Sequence, residues 1–112
     1  MDYFKNLDGA VIVSDKEGTI IYLNEKAVSN FQQEGGRDLI GKKLKDCHGD
    51  RSNLKIRDIM TTKEKNVYTI EKKGKKKIIY QTPWYDEAGF AGLVELSLEI
   101  PFDMPHFNRD VS

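Results

Sequence analysis

The stretch DGAVIVSDKEGTIIYLNEKAVSNF, from Asp8 to Phe31, is the most informative part of this sequence. Two short runs rich in β-branched residues, 10–14 and 19–23, flank the turn at 15–18. β-Branched side chains favour strands, and Gly18 can adopt the positive φ that such a turn often needs. The stretch therefore predicts two strands joined by a tight turn.

A helical pattern follows the second strand directly. Asn24 is a good N-cap for a helix that starts at Glu25, because its side chain can accept a hydrogen bond from a free backbone N–H of the first turn. Apolar residues then recur at helical spacing, at Ala27, Val28 and Phe31. Few small domains begin with strand, turn, strand and then helix.

The middle of the chain is helical and the last part returns to strands. Residues 37–48 form a short broken region, whose apolar anchors are Leu39, Ile40 and Leu44. Residues 52–62 predict a helix, whose buried stripe holds Ile56, Ile59 and Met60. Three strands follow, at 66–72, 75–85 and 90–100, with turns at Gly74 and at 86–89.

The last strand has a clear two-residue period. One face holds Gly92, Val94, Leu96, Leu98 and Ile100, and the other holds Glu95, Ser97 and Glu99. Alternation over so long a run is typical of a strand with one buried and one wetter face. We expect the apolar face to be the buried one.

Neither strand set can bury its apolar face alone, so the two N-terminal and three C-terminal strands are expected to share a sheet. The predicted class is α+β: a five-stranded antiparallel sheet with helices on one face and a space between the two. With 112 residues the chain has room for a single core. We expect one domain over residues 1–100, with 1–8 as a lead-in, and a tail at 101–112.

Composition narrows the classes of partner. Basic and acidic residues balance at 18 each, so no net field favours nucleic acid or an anionic membrane. No apolar run approaches the ~20 residues that span a bilayer, and the start of the chain does not resemble a signal peptide. A single cysteine, Cys47, excludes an internal disulfide. We expect a cytoplasmic protein with neither nucleic-acid nor membrane partners.

Three segments together resemble a PAS domain. They are GAVIVSDKEGTIIYLNEKA at 9–27, LIGKKLKDC at 39–47 and DEAGFAGLVELSLEI at 86–100. The first resembles the opening strand, turn, strand and helix of that family, the second the step after its first helix, and the third its final hairpin. The resemblance covers about 7–100 and implies a PAS-like, profilin-like architecture.

The resemblance also implies a function. PAS domains are sensory and interaction modules that hold a small ligand or cofactor between sheet and helices, or hold nothing and dimerise. We therefore expect a possible small-molecule ligand, a homodimer or a partner signalling protein as the output, and no enzymatic activity. The sequence leaves the cofactor unknown, and no Walker loop, zinc spacing or nucleophile elbow is present.

The candidate ligand-binding residues are Cys47, His48, Phe31 and Tyr80. Cys47 and His48 could contact a ligand, and Cys47 could be a redox-sensitive thiol. The simpler interpretation is a small buried side chain beside a polar loop residue. No metal site is predicted apart from His48 as a haem ligand. Haem-binding PAS domains place that histidine on the next helix, whereas His48 precedes it. The stretch before Cys47 lacks the Asn and Arg of flavin-binding members, so no flavin adduct is expected.

Two other features stay open at the level of sequence. Lysines are concentrated at the hairpin tip at 71–77. They either protect a sheet edge from pairing with another strand or bind an acidic partner. Tyr80, Thr82 and Trp84 share one face of their strand, which is either internal or part of a dimer surface. Three functions compete: a ligand-binding sensor, a haem sensor that uses His48, and a ligand-free dimerisation module.

Overall fold

The computed structural model describes residues 1–44 and 50–110, with the backbone alone for 50–55. The strands are β1 (Ala10–Asp15), β2 (Ile20–Leu23), β3 (Asn66–Lys72), β4 (Lys75–Asp86) and β5 (Gly89–Ile100). The helices are α1 (Glu25–Asn30) and α2 (Asp50–Thr62), with two 3-10 turns at Gln32–Glu34 and Gly36–Leu39.

The five strands form one sheet in the order β2-β1-β5-β4-β3, and every neighbouring pair is antiparallel. The predicted α+β class and the five-stranded antiparallel sheet are confirmed. β1 and β5 lie side by side although most of the chain separates them, so the first and last strands of the sequence form the centre of the sheet.

Two side chains close the local structure of the opening stretch. The Oδ1 atom of Asp15 accepts hydrogen bonds from the backbone N–H of Glu17 and of Thr19, at 3.0 and 2.9 Å. Gly18 adopts φ +81°, as the turn prediction requires. Asn24 caps α1 by accepting a hydrogen bond from the backbone N–H of Ala27, which confirms the predicted cap.

The helices cover one face of the sheet, here called the inner face. The core on this side contains Ala10, Ile12, Ile20, Leu23, Ala27, Val28, Leu39, Leu44, Ile56, Ile59 and Leu93. Ile56 and Ile59 are buried and Met60 packs against them, as the helical stripe predicted. Ile40 is 46% exposed, so its predicted role as an anchor is wrong. The backbone of Ile40 is extended, directly after the second 3-10 turn. The buried apolar residues of this region are Leu39 and Leu44 instead.

The helices cover the face of β5 that was expected to be the wetter one. Its residues do alternate, but pairing with β1 places Ser97 beside Ala10 and Glu95 beside Ile12. Paired residues share a face, so Glu95 and Ser97 lie on the inner face, under the helices. The apolar side of β5 lies on the opposite, outer face, where Val94, Leu96, Leu98 and Ile100 are half-buried.

Both ends of the chain lie outside the core. The apolar residues of the lead-in, Tyr3, Phe4 and Leu7, are all exposed. The lead-in is held by polar bonds instead, since its carbonyls accept hydrogen bonds from the start of α1. Residues 101–110 of the tail are exposed, including His106.

Candidate functional site

A cavity of about 170 Å³ lies between the end of α1 and the inner face of the sheet. It is lined by Ala10, Ile12, Asn30, Phe31, Tyr68, Ile70, Ile79, Glu95 and Ser97. The helix supplies one wall through its last residue and its C-cap, and four strands supply the other. The cavity is therefore the space that a sheet with helices on one face was expected to leave.

A chain of amides crosses the sheet beside the cavity. Gln81 of β4 is 2% exposed, and its Nε2 donates a 2.7 Å hydrogen bond to Oε1 of Glu95 on β5. Its Oε1 accepts a 2.9 Å hydrogen bond from Nδ2 of Asn66 on β3. Burying an amide is costly unless it is hydrogen-bonded, and here both ends of the Gln81 amide have partners. The arrangement holds the Glu95 carboxylate in place.

The negative charge of Glu95 affects Tyr68, an aromatic residue of the cavity wall. Burial raises the pKa of the Tyr68 hydroxyl above its usual value, and the nearby negative charge of Glu95 raises that pKa further. Both effects disfavour a second negative charge at this wall. The cavity is thus apolar on most sides, with an acidic edge.

Of the four residues predicted to contact a ligand, the structure describes Phe31 and Tyr80 and places them apart. Phe31 lines the cavity. Tyr80 pairs with Leu96 and lies on the outer face, so it is not part of this cavity. Cys47 and His48 lie outside the described residues.

Glu95, Ser97 and Gln81 were not predicted as lining or positioning residues. For Glu95 and Ser97 the signal was present in the alternation of β5, where polar residues recur at every second position. It was interpreted as a wet face because the neighbouring apolar residues suggested that the core lay on the other side.

A second, more open groove of about 450 Å³ lies between the β1–β2 turn and α2. Its walls combine charged and apolar residues: Lys16, Glu17, Lys43, Leu44, Ile56, Arg57 and Met60, together with Gly18. It is a surface groove, whereas the first cavity lies against the covered side of the sheet. The first cavity is therefore the better candidate for specific recognition.

Trp84, whose position the sequence left open, lies on the outer face of the sheet. Trp84 pairs with Gly92 on this face, and its Nε1 donates a 2.9 Å hydrogen bond to the backbone oxygen of Ser14 on β1. Half-buried apolar residues continue the face across β4 and β5, at Ile78, Tyr80, Val94, Leu96 and Leu98. Among the described residues, no helix covers this surface in the way that α1 and α2 cover the inner face.

Within residues 1–44 and 50–110, no group of three or more His, Cys, Asp or Glu side chains is placed to hold a metal ion. The described helices include none that is long and apolar enough to cross a membrane.

Solved structures share this architecture. A sensory box sensor histidine kinase from Vibrio cholerae matches with a TM-score of 0.67 and 16% identity, over 88% of this chain and 87% of that chain. The PAS domain of histidine kinase ThkA matches with a TM-score of 0.63 and 22% identity, over 81% and 98%. The chain has a PAS fold.

A third PAS structure belongs to the Aer2 receptor from Vibrio cholerae, described as a dual PAS-heme oxygen sensor. It matches with a TM-score of 0.59 and 18% identity, over 83% of this chain and 95% of that chain. No family model matches the sequence, and neither does any curated protein. The structural matches establish the PAS fold of the chain. Because the identities are low, its ligand and output have to be argued from its own residues.

Proposed function

We propose that this chain is the sensory module of a signalling system. It binds a small molecule in the cavity between α1 and the sheet, and it passes the bound state to a second copy or a partner protein through the outer face of the sheet. Its role is recognition rather than catalysis. The cavity under α1 is the observation that carries this proposal.

The position of the cavity supports a sensory role. Asn30 and Phe31, at the end of α1, form the helical wall of the cavity, and the other end of α1 is capped by Asn24. A ligand that binds one position of α1 better than another would shift the population between them. Asn24 also hydrogen-bonds to the lead-in, so such a shift would be felt outside the core.

The outer face supports the second half of the proposal. Its half-buried Val94, Leu96 and Leu98 form an apolar strip on the central strand of the sheet, with Tyr80 and Ile78 beside it on β4. Aromatic and aliphatic side chains of this kind are favoured in the core of protein interfaces. We propose a second copy of the chain as the occupant of this surface.

The size of the cavity favours a small ligand over haem. Pockets for drug-sized ligands measure ~300–1,000 Å³, so a cavity of about 170 Å³ suits a smaller molecule. A porphyrin would not fit this cavity without rearrangement, and His48 lies outside the described residues. We therefore do not carry the haem alternative into the proposal.

Native mass spectrometry of the purified chain tests the cavity. We expect a population heavier than the bare chain by the mass of one small molecule. Ser97→Leu places a larger side chain in the cavity and should remove that population. Thr82→Leu makes a similar change on the outer face and should leave it intact.

The ligand-free dimerisation module predicts a different result. In that case the purified protein has the mass of the bare chain, and a screen of small molecules gives no shift in melting temperature. Both results together would contradict a sensory role for the cavity.

A further inference from the structure

The polar atoms of the cavity lie mainly on one wall. Glu95 and Ser97 stand two residues apart on the inner face of β5, and Asn30 stands at the end of α1. The other lining side chains are aliphatic or aromatic: Ala10, Ile12, Phe31, Tyr68, Ile70 and Ile79. Glu95 is the charged residue of this lining. A ligand here would meet apolar surface on most sides and a carboxylate on one.

The carboxylate is oriented before any ligand arrives. An ionised carboxylate can only accept hydrogen bonds, so Gln81 must turn its NH₂ group toward Glu95. Asn66 fixes the same orientation from the other side by donating to the carbonyl oxygen of Gln81. Since Gln81 is buried, this support is shielded from water. Acceptors held in place by a buried second layer give specificity to a site.

The volume sets the size of the molecule. An apolar cavity of about 150 Å³ holds a benzene molecule, and this cavity measures about 170 Å³. A single ring with one polar substituent therefore matches the space between α1 and the sheet. The aromatic rings of Phe31 and Tyr68 offer flat surfaces against which such a ring can pack.

We propose that the ligand of this cavity is a one-ring molecule with a positively charged nitrogen group that donates hydrogen bonds to the Glu95 carboxylate. Amines and amidines have this chemistry. The proposal rests on the proposed function, that the cavity binds a small molecule, and it names the class of that molecule. Acids of the same size are disfavoured because their charge repels Glu95.

Three probes with the same ring and different charge test the proposal: benzamidinium, benzamide and benzoate. Each is titrated into the full chain, and the chemical shifts of backbone amides around the cavity give the dissociation constant. We expect benzamidinium to bind at least tenfold more tightly than benzoate, with benzamide between them. This comparison in the wild-type chain does not depend on the folding of any variant.

Glu95→Gln assigns the preference to one group, because it removes the charge and keeps the size of the side chain. In this variant the preference for benzamidinium over benzoate should fall to about twofold or less. Glu99→Gln removes the same charge four residues further along β5, where Glu99 pairs with Lys75 at 3.6 Å outside the cavity. It should keep the wild-type preference.

The outcomes separate this proposal from the one on which it rests. Benzoate binding as tightly as benzamidinium overturns the ligand class and leaves the cavity as a binding site. An unchanged preference in Glu95→Gln also overturns it. If none of the probes binds and the purified chain carries no small molecule, the proposed function itself fails.

Discussion

The indole Nε1 of Trp84 donates a 2.9 Å hydrogen bond to the backbone oxygen of Ser14, and the two residues lie on strands that are not neighbours. β5 runs between them, and the residue of β5 that pairs with Trp84 is Gly92. A Cβ atom at this position would collide with the backbone of Ser14, and Gly92 has φ +150°. The absence of a side chain at 92 therefore allows the close approach of β1.

We expect Gly92→Ala to destabilise the protein severely. The new methyl group clashes with the Ser14 backbone and the backbone at 92 is strained, so the free energy of unfolding should fall by about 3 kcal/mol or more. Gly89→Ala is the matched control. Gly89 also has a positive φ, but nothing lies within 4 Å of a Cβ there, so we expect a loss of about 1 kcal/mol. Urea unfolding followed by Trp84 fluorescence measures both, and equal losses would show that the clash is unimportant.

We expect Asn24 to contribute more to the free energy of unfolding than an N-cap alone. Its Oδ1 accepts from the backbone N–H of Val11 and Ala27, and its Nδ2 donates to the carbonyls of Phe4 and Gly9. Asn24→Ser keeps a good N-cap residue but removes the amide donor, and Ser caps helices about as well as Asn. The variant should lose about 2 kcal/mol, because the buried Gly9 carbonyl is left without its donor. Denaturant unfolding checks this, and a loss below ~0.5 kcal/mol would reduce Asn24 to a simple cap.

Tyr22 should make stability fall in strong alkali. Burial, followed by the hydrogen bond to Asp2 and its charge, raises the pKa of the Tyr22 hydroxyl from 10.0 to about 12. The folded state thus favours the neutral phenol, and this contribution is present below pH 10 and is lost as the pH rises through 12. Between pH 10 and 12 the wild-type free energy of unfolding should fall more steeply than that of Tyr22→Phe. A difference between the two proteins that stays constant from pH 8 to 12 would contradict this.

A second copy on the outer face should be detectable in solution. Leu96→Glu places a charge in the apolar strip of β5 and should convert a concentration-dependent dimer into a monomer, as measured by sedimentation equilibrium. Thr69→Glu is the control. Thr69 lies on the same face but is exposed on the edge strand β3, and we expect it to leave the dimer in place. A wild-type chain that is monomeric at all concentrations would rule out this surface as a homodimer interface.

Local chemistry explains why so much of the fold was predictable. The Asp15 turn, the Asn24 cap and the stripe of Ile56 and Ile59 are each specified within a few residues, so the elements could be placed within one or two residues of their observed ends. The requirement that both strand groups bury an apolar side then led to a single sheet. These features depend on the conformational preferences of individual residues, which can be read from the sequence.

Which side of the sheet the helices cover was decided only by the tertiary structure. A two-residue period shows that the faces of β5 differ, but it does not say which one meets the helices, and here the helices lie over Glu95 and Ser97. The burial of Gln81, the cavity and the bond from Trp84 to Ser14 also depend on strands that are distant in sequence. The elements and their order along the chain follow from the amino-acid sequence alone, because they depend on local interactions. The candidate site is formed by pairing between strands that are distant in sequence. The residue pattern along one strand does not encode that pairing.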